Sequence, residues 1–230
     1  MRRRIFSAIL LSTLILLSAT AFAGSGQLLT FQGLGDLQPV GSFYDGGGLT
    51  STPNYGVTFS SNFFGLRSFA NGGSGQFSGT PDGMPAIFVN GTVGSTATGT
   101  MNVAPGFSGG INFFFTAGFQ SGQTETVQIW SGSNGTGTVL ATISLSNNNG
   151  SCTTPSYCSW SSIGAAFSGT AHSVTFTGPA DQLGITEITL GSNTTAIPEP
   201  SSIYLLGTGL TALSLPKKFR ENAIRRFFRI

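Results

Sequence analysis

The sequence predicts an all-β protein, an antiparallel β-sandwich or jelly roll of about eight to ten strands, flanked by an N-terminal signal peptide and a C-terminal transmembrane helix. Glycine accounts for 34 of the 230 residues, roughly twice its average usage, which disfavours long helices and favours short strands joined by tight turns. Short apolar stretches recur between clusters of Gly, Asn, Ser and Pro, the pattern typical of a sandwich. Each end of the chain carries an apolar run beside basic residues.

The predicted strands follow one another along the central part of the chain. In several of them apolar and polar residues alternate, as in the stretch that holds Ile111, Phe113 and Phe115, so that one face of the strand is buried. Two sheets built from such strands can pack their inner faces at ordinary density. The strands are predicted at 28–32, 56–60, 86–90, 97–103, 110–117, 125–130, 139–145, 160–167, 172–177 and 183–190.

Turn residues separate these strands. Asn134-Gly135 lies between two alternating stretches and predicts a tight hairpin turn. Two stretches, 44–55 and 69–85, lack any strand pattern. Loops of that length in a compact domain tend to be binding surfaces or mobile segments.

The N-terminus, residues 1–23, has the pattern of a secretory signal peptide. Three arginines at 2–4 precede a 13-residue apolar run at 5–17, and Ala21-Phe22-Ala23 forms a small-x-small cleavage site at Ala21 and Ala23. We therefore expect export through the Sec translocon, removal of the segment by signal peptidase, and a mature chain that begins near Gly24. The alternative, an uncleaved anchor, requires a longer apolar run.

The C-terminus, residues 198–230, divides into Pro198-Glu199-Pro200, an apolar stretch at 201–215 and a basic tail at 216–230. The 15 residues of the apolar stretch span about 22 Å as a helix, so flanking lysines must snorkel to complete a ~30 Å crossing. Cations follow the stretch and none precedes it closely, which places the tail in the cytoplasm and residues 24–197 outside the membrane. The cations of the tail are Lys217, Lys218, Arg220, Arg225, Arg226 and Arg229.

The tripeptide, the short helix with its glycines and the terminal basic cluster together resemble the PEP-CTERM sorting signal. The resemblance implies that an exosortase of a Gram-negative, exopolysaccharide-producing bacterium acts at Pro198, Glu199 and Pro200. It also implies an intermediate anchored in the inner membrane and a final location on the cell surface or in the extracellular matrix. A plain, uncleaved tail anchor is the alternative. The tail continues past the usual end of such signals, and residues 221–230 fit either an interfacial amphipathic helix or a tail that only sets topology.

Residues 24–197 also resemble the β-sandwich ectodomains that often precede PEP-CTERM signals, through residues 29–36 and 182–190. The second stretch is similar to the last strand of galactose-binding-like jelly rolls. This resemblance implies a sandwich of the same kind. Where the family often carries Asp followed by Asn or Asp before the final Ile-x-Leu, this sequence has Thr186-Glu187, so the resemblance does not imply a metal site.

Charge is distributed very unevenly along the chain. Arg67 is the only Lys or Arg between Gly24 and Pro200, and seven acidic residues in that stretch give it a net charge of −6. Binding to nucleic acid requires a surface of Lys and Arg side chains that neutralises phosphates. The sequence therefore excludes nucleic acid as a partner of the central domain.

Cys152 and Cys158 are the only cysteines of the chain. In an exported protein, an even pair at such close spacing predicts a disulfide that closes a small loop. The alternatives are a catalytic cysteine, which requires a histidine partner, and a zinc site, which requires further ligands.

The sequence shows no catalytic constellation. His172 is the only histidine, and no Gly-x-Ser-x-Gly elbow accompanies it. Glycosidase chemistry needs two carboxylates across a sugar, and the spacing of the acidic residues selects no pair. We predict no cofactor, and consider one metal site only, a structural calcium held by Asp36 or Asp45 with Glu187.

Aromatic residues offer the best candidates for ligand contact. A sugar-stacking platform and ordinary core packing are both open for these residues, although we expect the two tryptophans to be at least half buried. Tyr44 and Tyr55, in a loop with Asn and Gly neighbours, are the preferred ligand contacts. The full set is Tyr44, Tyr55, Trp130, Tyr157 and Trp160.

Together these patterns predict an exported, exosortase-sorted protein of the cell surface or matrix with a structural or adhesive role and no catalytic activity. A carbohydrate-binding module that recognises exopolysaccharide is the first alternative. A secreted hydrolase is the second.

Overall fold

The computed structural model describes residues 26–48, 52–118, 123 and 125–193. All of them belong to the first of two compact units, Met1–Ala196. The predicted signal peptide and the predicted sorting signal lie outside the described residues. Within the described ranges, no helix is long and apolar enough to cross a membrane.

The described chain is all-β, as predicted, with nine strands that pair antiparallel. Two single-turn 3₁₀ helices, Phe69–Asn71 and Ser133–Gly135, interrupt the connections. The strands are β1 (Gln27–Leu29), β2 (Val57–Phe59), β3 (Phe63–Leu66), β4 (Ala86–Val89), β5 (Thr96–Ala117), β6 (Glu125–Trp130), β7 (Val139–Leu145), β8 (Ser161–Pro179) and β9 (Leu183–Leu190).

Two long strands, β5 and β8, run through both halves of the sheet, whose order is β3-β4-β9-β5-β8-β6-β7 with β1 on β9 and β2 on β5. Their pairing shifts register between Asn102 and Gly109 of β5. Before the shift, β5 pairs with β2 and with the end of β8. The end of β8 also pairs with β6, and β6 pairs with β7. We call these strands and strand segments the first layer. After the shift, β5 pairs with β9 and with the start of β8. Strands β1 and β4 also pair with β9, and β3 pairs with β4. These strands and strand segments form the second layer.

The two layers face each other across one apolar core. Phe63 of the second layer packs edge-to-face on Phe59 and Phe176 of the first, with ring centroids 5.2 and 5.7 Å apart. Phe113 of the second layer meets Phe176 at 5.9 Å. Gly99 lies buried beneath Phe63, where a Cβ atom would come within 2.7 Å of the ring and of Val89. The face-to-face packing of the layers is the β-sandwich that the alternation predicts.

The sequence-based prediction divides β5 and β8 where the structure does not. Residues 104–109 and 168–171, which the prediction left between strands, lie within β5 and β8, and Gly106 and Gly169 there adopt positive φ, 72° and 92°. Gly and Pro inside a strand mark a bulge or a bend, and the register of β5 on β8 shifts here. Strand β3 was missed, because four residues with a glycine third carry too little periodicity.

Candidate functional site: a groove beside the disulfide loop

A disulfide joins Cys152 and Cys158, which confirms the prediction for this pair. The loop that it closes, residues 152–158, is held in place by Asn149. The buried amide of Asn149 accepts hydrogen bonds from the N–H groups of Cys158 and Ser159, both at 2.9 Å. The same amide donates to Thr116 Oγ1 at 2.7 Å and to the carbonyl of Ala117 at 3.0 Å. One side chain thus fixes the disulfide loop to the end of β5.

A second irregular stretch, the 67–78 segment, belongs to a region that the sequence predicted to be loop. Asp36 organises its first part by accepting hydrogen bonds from the N–H of Arg67 at 2.8 Å and from the N–H and hydroxyl of Ser74 at 3.0 and 2.8 Å. Burial alone would raise the pKa of Asp36, but these hydrogen bonds and the nearby Arg67 charge outweigh it and lower the pKa.

The 67–78 segment and the disulfide loop are joined to each other. Phe77 and Tyr157 form a parallel β-bridge, in which Tyr157 accepts from the N–H of Ser78 at 3.0 Å and donates to the carbonyl of Gln76 at 3.1 Å. Trp160 packs edge-to-face on Phe77 at 5.8 Å, and its indole N–H donates to the carbonyl of Ser78 at 2.9 Å. Backbone and aromatic contacts therefore give the two loops one fixed relative position.

Two adjoining cavities share Gln76 and Phe77, and we call the pair the groove. The apolar end has a volume of about 410 Å³ and is lined by Phe69, Ala70, Gln76, Phe77, Ser78, Thr154 and Pro155. The polar end has a volume of about 210 Å³ and is lined by Leu66, Ser74, Gly75, Gln76, Phe77, Phe88, Thr116, Tyr157, Asp181, Gln182, Leu183 and Gly184. Phe69 is 78% exposed, so its ring is available to a ligand. A concave surface with apolar walls and a few polar groups is the usual form of a binding site.

The polar end of the groove carries a negative charge at Asp181, in the turn between β8 and β9. Asp181 accepts a hydrogen bond from the side-chain amide of Asn90 at 3.2 Å. Burial, together with the negative charge of Asp181, raises the pKa of the Tyr157 hydroxyl. None of the described residues that line the groove is Lys, Arg or His.

The structure brings two of the five predicted aromatic residues to this site. Tyr157 lines the groove, and Trp160 packs on Phe77, which also lines it. Trp130 lies elsewhere, in the first layer, where its indole N–H donates to Thr175 Oγ1 at 2.9 Å. Both tryptophans are at least half buried, as predicted.

The preference for Tyr44 as an exposed ligand contact is wrong. Its side chain is 3% exposed, its hydroxyl accepts the N–H of Phe31 at 2.7 Å, and its ring stacks on Tyr55 with centroids 5.9 Å apart. Burial raises its pKa to about 12. Tyr44 is a core residue, and Tyr55 is partly buried against the same core.

Several groove residues were not predicted, among them Phe69, Gln76 and Gln182. The only sequence signal that pointed to any of them was the length of the stretch at 69–85, which suggested a binding surface.

The titratable residues named from the sequence, Asp36, Asp45, His172 and Glu187, do not line the groove. His172 is partly buried on β8, near Gly106. Glu187 lies within electrostatic range of Asp82, and burial followed by this charge raises the pKa of Glu187. Among the residues that the structure describes, no three His, Cys, Asp or Glu side chains lie close enough to hold a metal ion.

Glu125, at the start of β6, was not singled out from the sequence. Its side chain is 2% exposed, and its Oε1 atom has no hydrogen-bond partner among the described residues. Burial raises the pKa of Glu125 to about 8. At neutral pH this side chain is therefore mostly a protonated, uncharged acid.

Comparison with protein-family models gives no match, and comparison with curated proteins gives none. Solved structures show distant likenesses. The K1 cleaved adhesin domain of Lys-gingipain from Porphyromonas gingivalis W83 is 12% identical, with 74% of this chain and 100% of that chain covered and a TM-score of 0.42. A family 29 carbohydrate-binding module is 13% identical, with 77% and 97% covered and a TM-score of 0.37. The carbohydrate-binding module TmCBM61, in complex with β-1,4-galactotriose, is 11% identical, with 58% and 85% covered and a TM-score of 0.34.

Proposed function

We propose that this protein is an adhesion protein of the cell surface or extracellular matrix that binds a polysaccharide chain in the groove. The observation that carries the proposal is the groove itself, where exposed Phe69 and the apolar wall of Phe77 and Pro155 adjoin an end that includes two side-chain amides and one carboxylate. A pyranose ring has an apolar face of C–H groups and a rim of hydroxyls. The apolar face can pack on the apolar wall of the groove, while the hydroxyls form hydrogen bonds with the nearby polar groups.

The two loops that form the groove are held before any ligand arrives. The β-bridge between Phe77 and Tyr157 and the hydrogen bond from Trp160 to Ser78 fix one wall against the other. A preformed site avoids the entropic cost of ordering loops on binding. Modest affinity at one groove is sufficient for adhesion, because many copies on one surface bind a repeating polymer together.

Binding without catalysis fits the groove better than hydrolysis. Hydrolysis of a glycosidic bond by the common mechanism needs two carboxyl groups, one on each side of the bond. Among the described residues that line the groove, Asp181 is the only carboxylate. The hydrolase alternative therefore lacks its second group at this site.

The sequence patterns at the two ends support export and display of this domain. The proposal includes Sec export, signal peptidase cleavage after Ala23, and exosortase processing at Pro198, Glu199 and Pro200 from an intermediate in the inner membrane. The intact mass of the mature protein, measured in cells with and without exosortase, tests this route. Exosortase-dependent loss of the residues beyond Pro198 supports it, and an intact C-terminus in both strains contradicts it.

Glycan binding by the purified, secreted protein tests the groove. We expect saturable binding to exopolysaccharide of the producing strain, and at least a ten-fold loss of affinity in Phe69→Ala and in Tyr157→Ala. Val93→Ala is the matched control, because Val93 is an exposed apolar residue, 82% accessible, that does not line the groove. Equal binding by all four proteins would rule the groove out as the glycan site.

A further inference from the structure

We infer that the groove selects a glycan of uncharged sugars, and that Asp181 is the residue that excludes acidic ones. The inference rests on the proposed function and names the class of ligand. It follows from the charges that surround the groove and from the way in which Asp181 is held.

An acidic sugar that enters the groove finds no cation to pair with. The described lining residues carry one charged side chain, the carboxylate of Asp181, and no Lys, Arg or His. A second carboxylate brought into this site loses part of its hydration and gains no ion pair, which is unfavourable. Uronic acids and other anionic sugars are therefore disfavoured at the polar end.

The backbone of Asp181 is fixed in its turn, and its carboxylate makes one side-chain hydrogen bond. Its side chain accepts the Asn90 amide at 3.2 Å, and its backbone N–H donates to the carbonyl of Val89 at 3.1 Å. The residue adopts a left-handed φ of 61° in the tight turn between β8 and β9. These contacts position Asp181 in the lining of the polar end.

The same group favours neutral sugars. A carboxylate accepts hydrogen bonds from sugar hydroxyls and makes stronger bonds than a neutral acceptor. The amides of Gln76 and Gln182 line the same end and can both donate to and accept from hydroxyls. The lining therefore supplies several partners for hydroxyl groups, but no cation that would compensate the charge of a carboxylate.

The size of the expected effect follows from Coulomb's law. Two like charges about 6 Å apart, at an effective dielectric constant between 20 and 80, repel by an amount equivalent to roughly a 3-fold to 100-fold loss of affinity. We expect about a ten-fold loss. The repulsion should weaken as salt is added, because the groove is open to solvent.

Arg67, the only Lys or Arg of the central domain, does not line the groove. It lines a separate cavity of about 270 Å³ with Leu34, Ser68, Asn71, Met84 and Pro85. An acidic sugar that pairs with Arg67 would bind at that cavity, whose lining is distinct from that of the groove. Substitution of Arg67 therefore distinguishes binding at that cavity from binding in the groove.

The test compares matched pairs of probes. Neutral β-1,4-linked hexaoses of glucose, mannose and galactose are titrated into the full secreted protein, and the hexaose that binds is then oxidised at its primary hydroxyls to carboxylates. We expect the oxidised form to bind about ten-fold more weakly. The Asp181→Asn variant keeps the oxygen that accepts from Asn90. In this variant the ratio of the affinities for the neutral and the oxidised hexaose should fall to less than three-fold. Arg67→Gln should leave the affinity for the neutral hexaose unchanged.

A salt series on the unmodified protein provides a test that needs no variant to fold. The ratio of the affinities for the neutral and the oxidised hexaose should decrease as salt is raised from 50 to 500 mM. The inference would be overturned if the neutral and the oxidised hexaose bind with equal affinity. It would also be overturned if neither Asp181→Asn nor salt reduces the ratio of the two affinities. Either result would leave glycan binding intact. An oxidised hexaose that binds wild type as tightly as the neutral form and is lost in Arg67→Gln would also overturn it. Failure of every hexaose and of the exopolysaccharide to bind would instead refute the proposed function.

Discussion

The indole N–H of Trp160 donates a 2.9 Å hydrogen bond to the backbone carbonyl of Ser78. This one bond connects the residue just before β8 with the end of the 67–78 segment, 82 positions away in the chain. Together with the ring contact to Phe77, it holds the wall of the groove against the sandwich.

Trp160→Phe should loosen this wall. The phenyl ring keeps most of the apolar contact, but the carbonyl of Ser78 loses its donor, at a cost of about 1 to 2 kcal/mol in the free energy of unfolding. Urea denaturation measures the loss, and glycan titration should show weaker binding. Trp130→Phe is the matched control, since it removes the equivalent bond to Thr175 in the first layer. It should lower stability by a similar amount without changing glycan affinity, and an equal loss of affinity in both variants would contradict the assignment.

Asn149→Ala should destabilise the protein by roughly 2 to 4 kcal/mol. The substitution removes the hydrogen bonds of Asn149 to the Ser159 N–H and to the buried Thr116 hydroxyl, and one of the two bonds made by the Cys158 N–H and by the Ala117 carbonyl. Polar groups left without a partner are costly. Thermal and urea unfolding give the magnitude. Asn54→Ala is the control, because it removes one exposed bond to the N–H of Gly56. A loss of less than 1 kcal/mol in Asn149→Ala would show that water replaces the amide.

Glu125 should make stability fall as pH rises. Burial raises its pKa to about 8 in the folded protein, against about 4.5 when unfolded, so the folded state binds one more proton across this window. The contribution to stability is fully present below about pH 4.5, declines by about 1.4 kcal/mol per pH unit, and is lost above about pH 8.

Glu125→Gln should remove this pH dependence, the slope of the free energy of unfolding against pH, because an amide does not ionise. Chemical denaturation at a series of pH values from 5 to 8.5 measures it. Glu187→Gln, at a less buried carboxyl, should leave most of the slope in place. If the slope in Glu125→Gln equals that of wild type, the buried carboxyl is not its source.

Gly99→Ala should overpack the core. A Cβ atom at this buried position would lie within 2.7 Å of the Phe63 ring and of Val89, and overpacking of this kind costs about 1 to 3 kcal/mol. Gly150→Ala is the control, since a Cβ atom there has no neighbour within 4 Å. Equal unfolding midpoints for the two variants would indicate that the layers can separate locally without cost.

The sequence predicted the regular strands far better than the groove. The bounds of β6, β7 and β9 were predicted as they are observed, because alternation along a strand is a local signal. The site depends instead on contacts such as the bridge between Phe77 and Tyr157, which no local pattern reveals. Tyr44 was misplaced for a related reason: polar and glycine neighbours suggested exposure, whereas its hydroxyl is satisfied inside the core by the N–H of Phe31.

Strand β9 begins at Leu183 in the polar end of the groove and ends at Leu190, where the chain continues toward its C-terminus. A surface-tethered protein that grips a polymer in the groove would therefore carry tension along the axis of this strand. Pulled in that direction, the hydrogen bonds from β9 to β5 and β1 are sheared together and share the load, whereas bonds pulled at right angles would open one after another. With the tethering and the glycan binding proposed above, this topology would resist mechanical force better than its equilibrium stability alone would indicate.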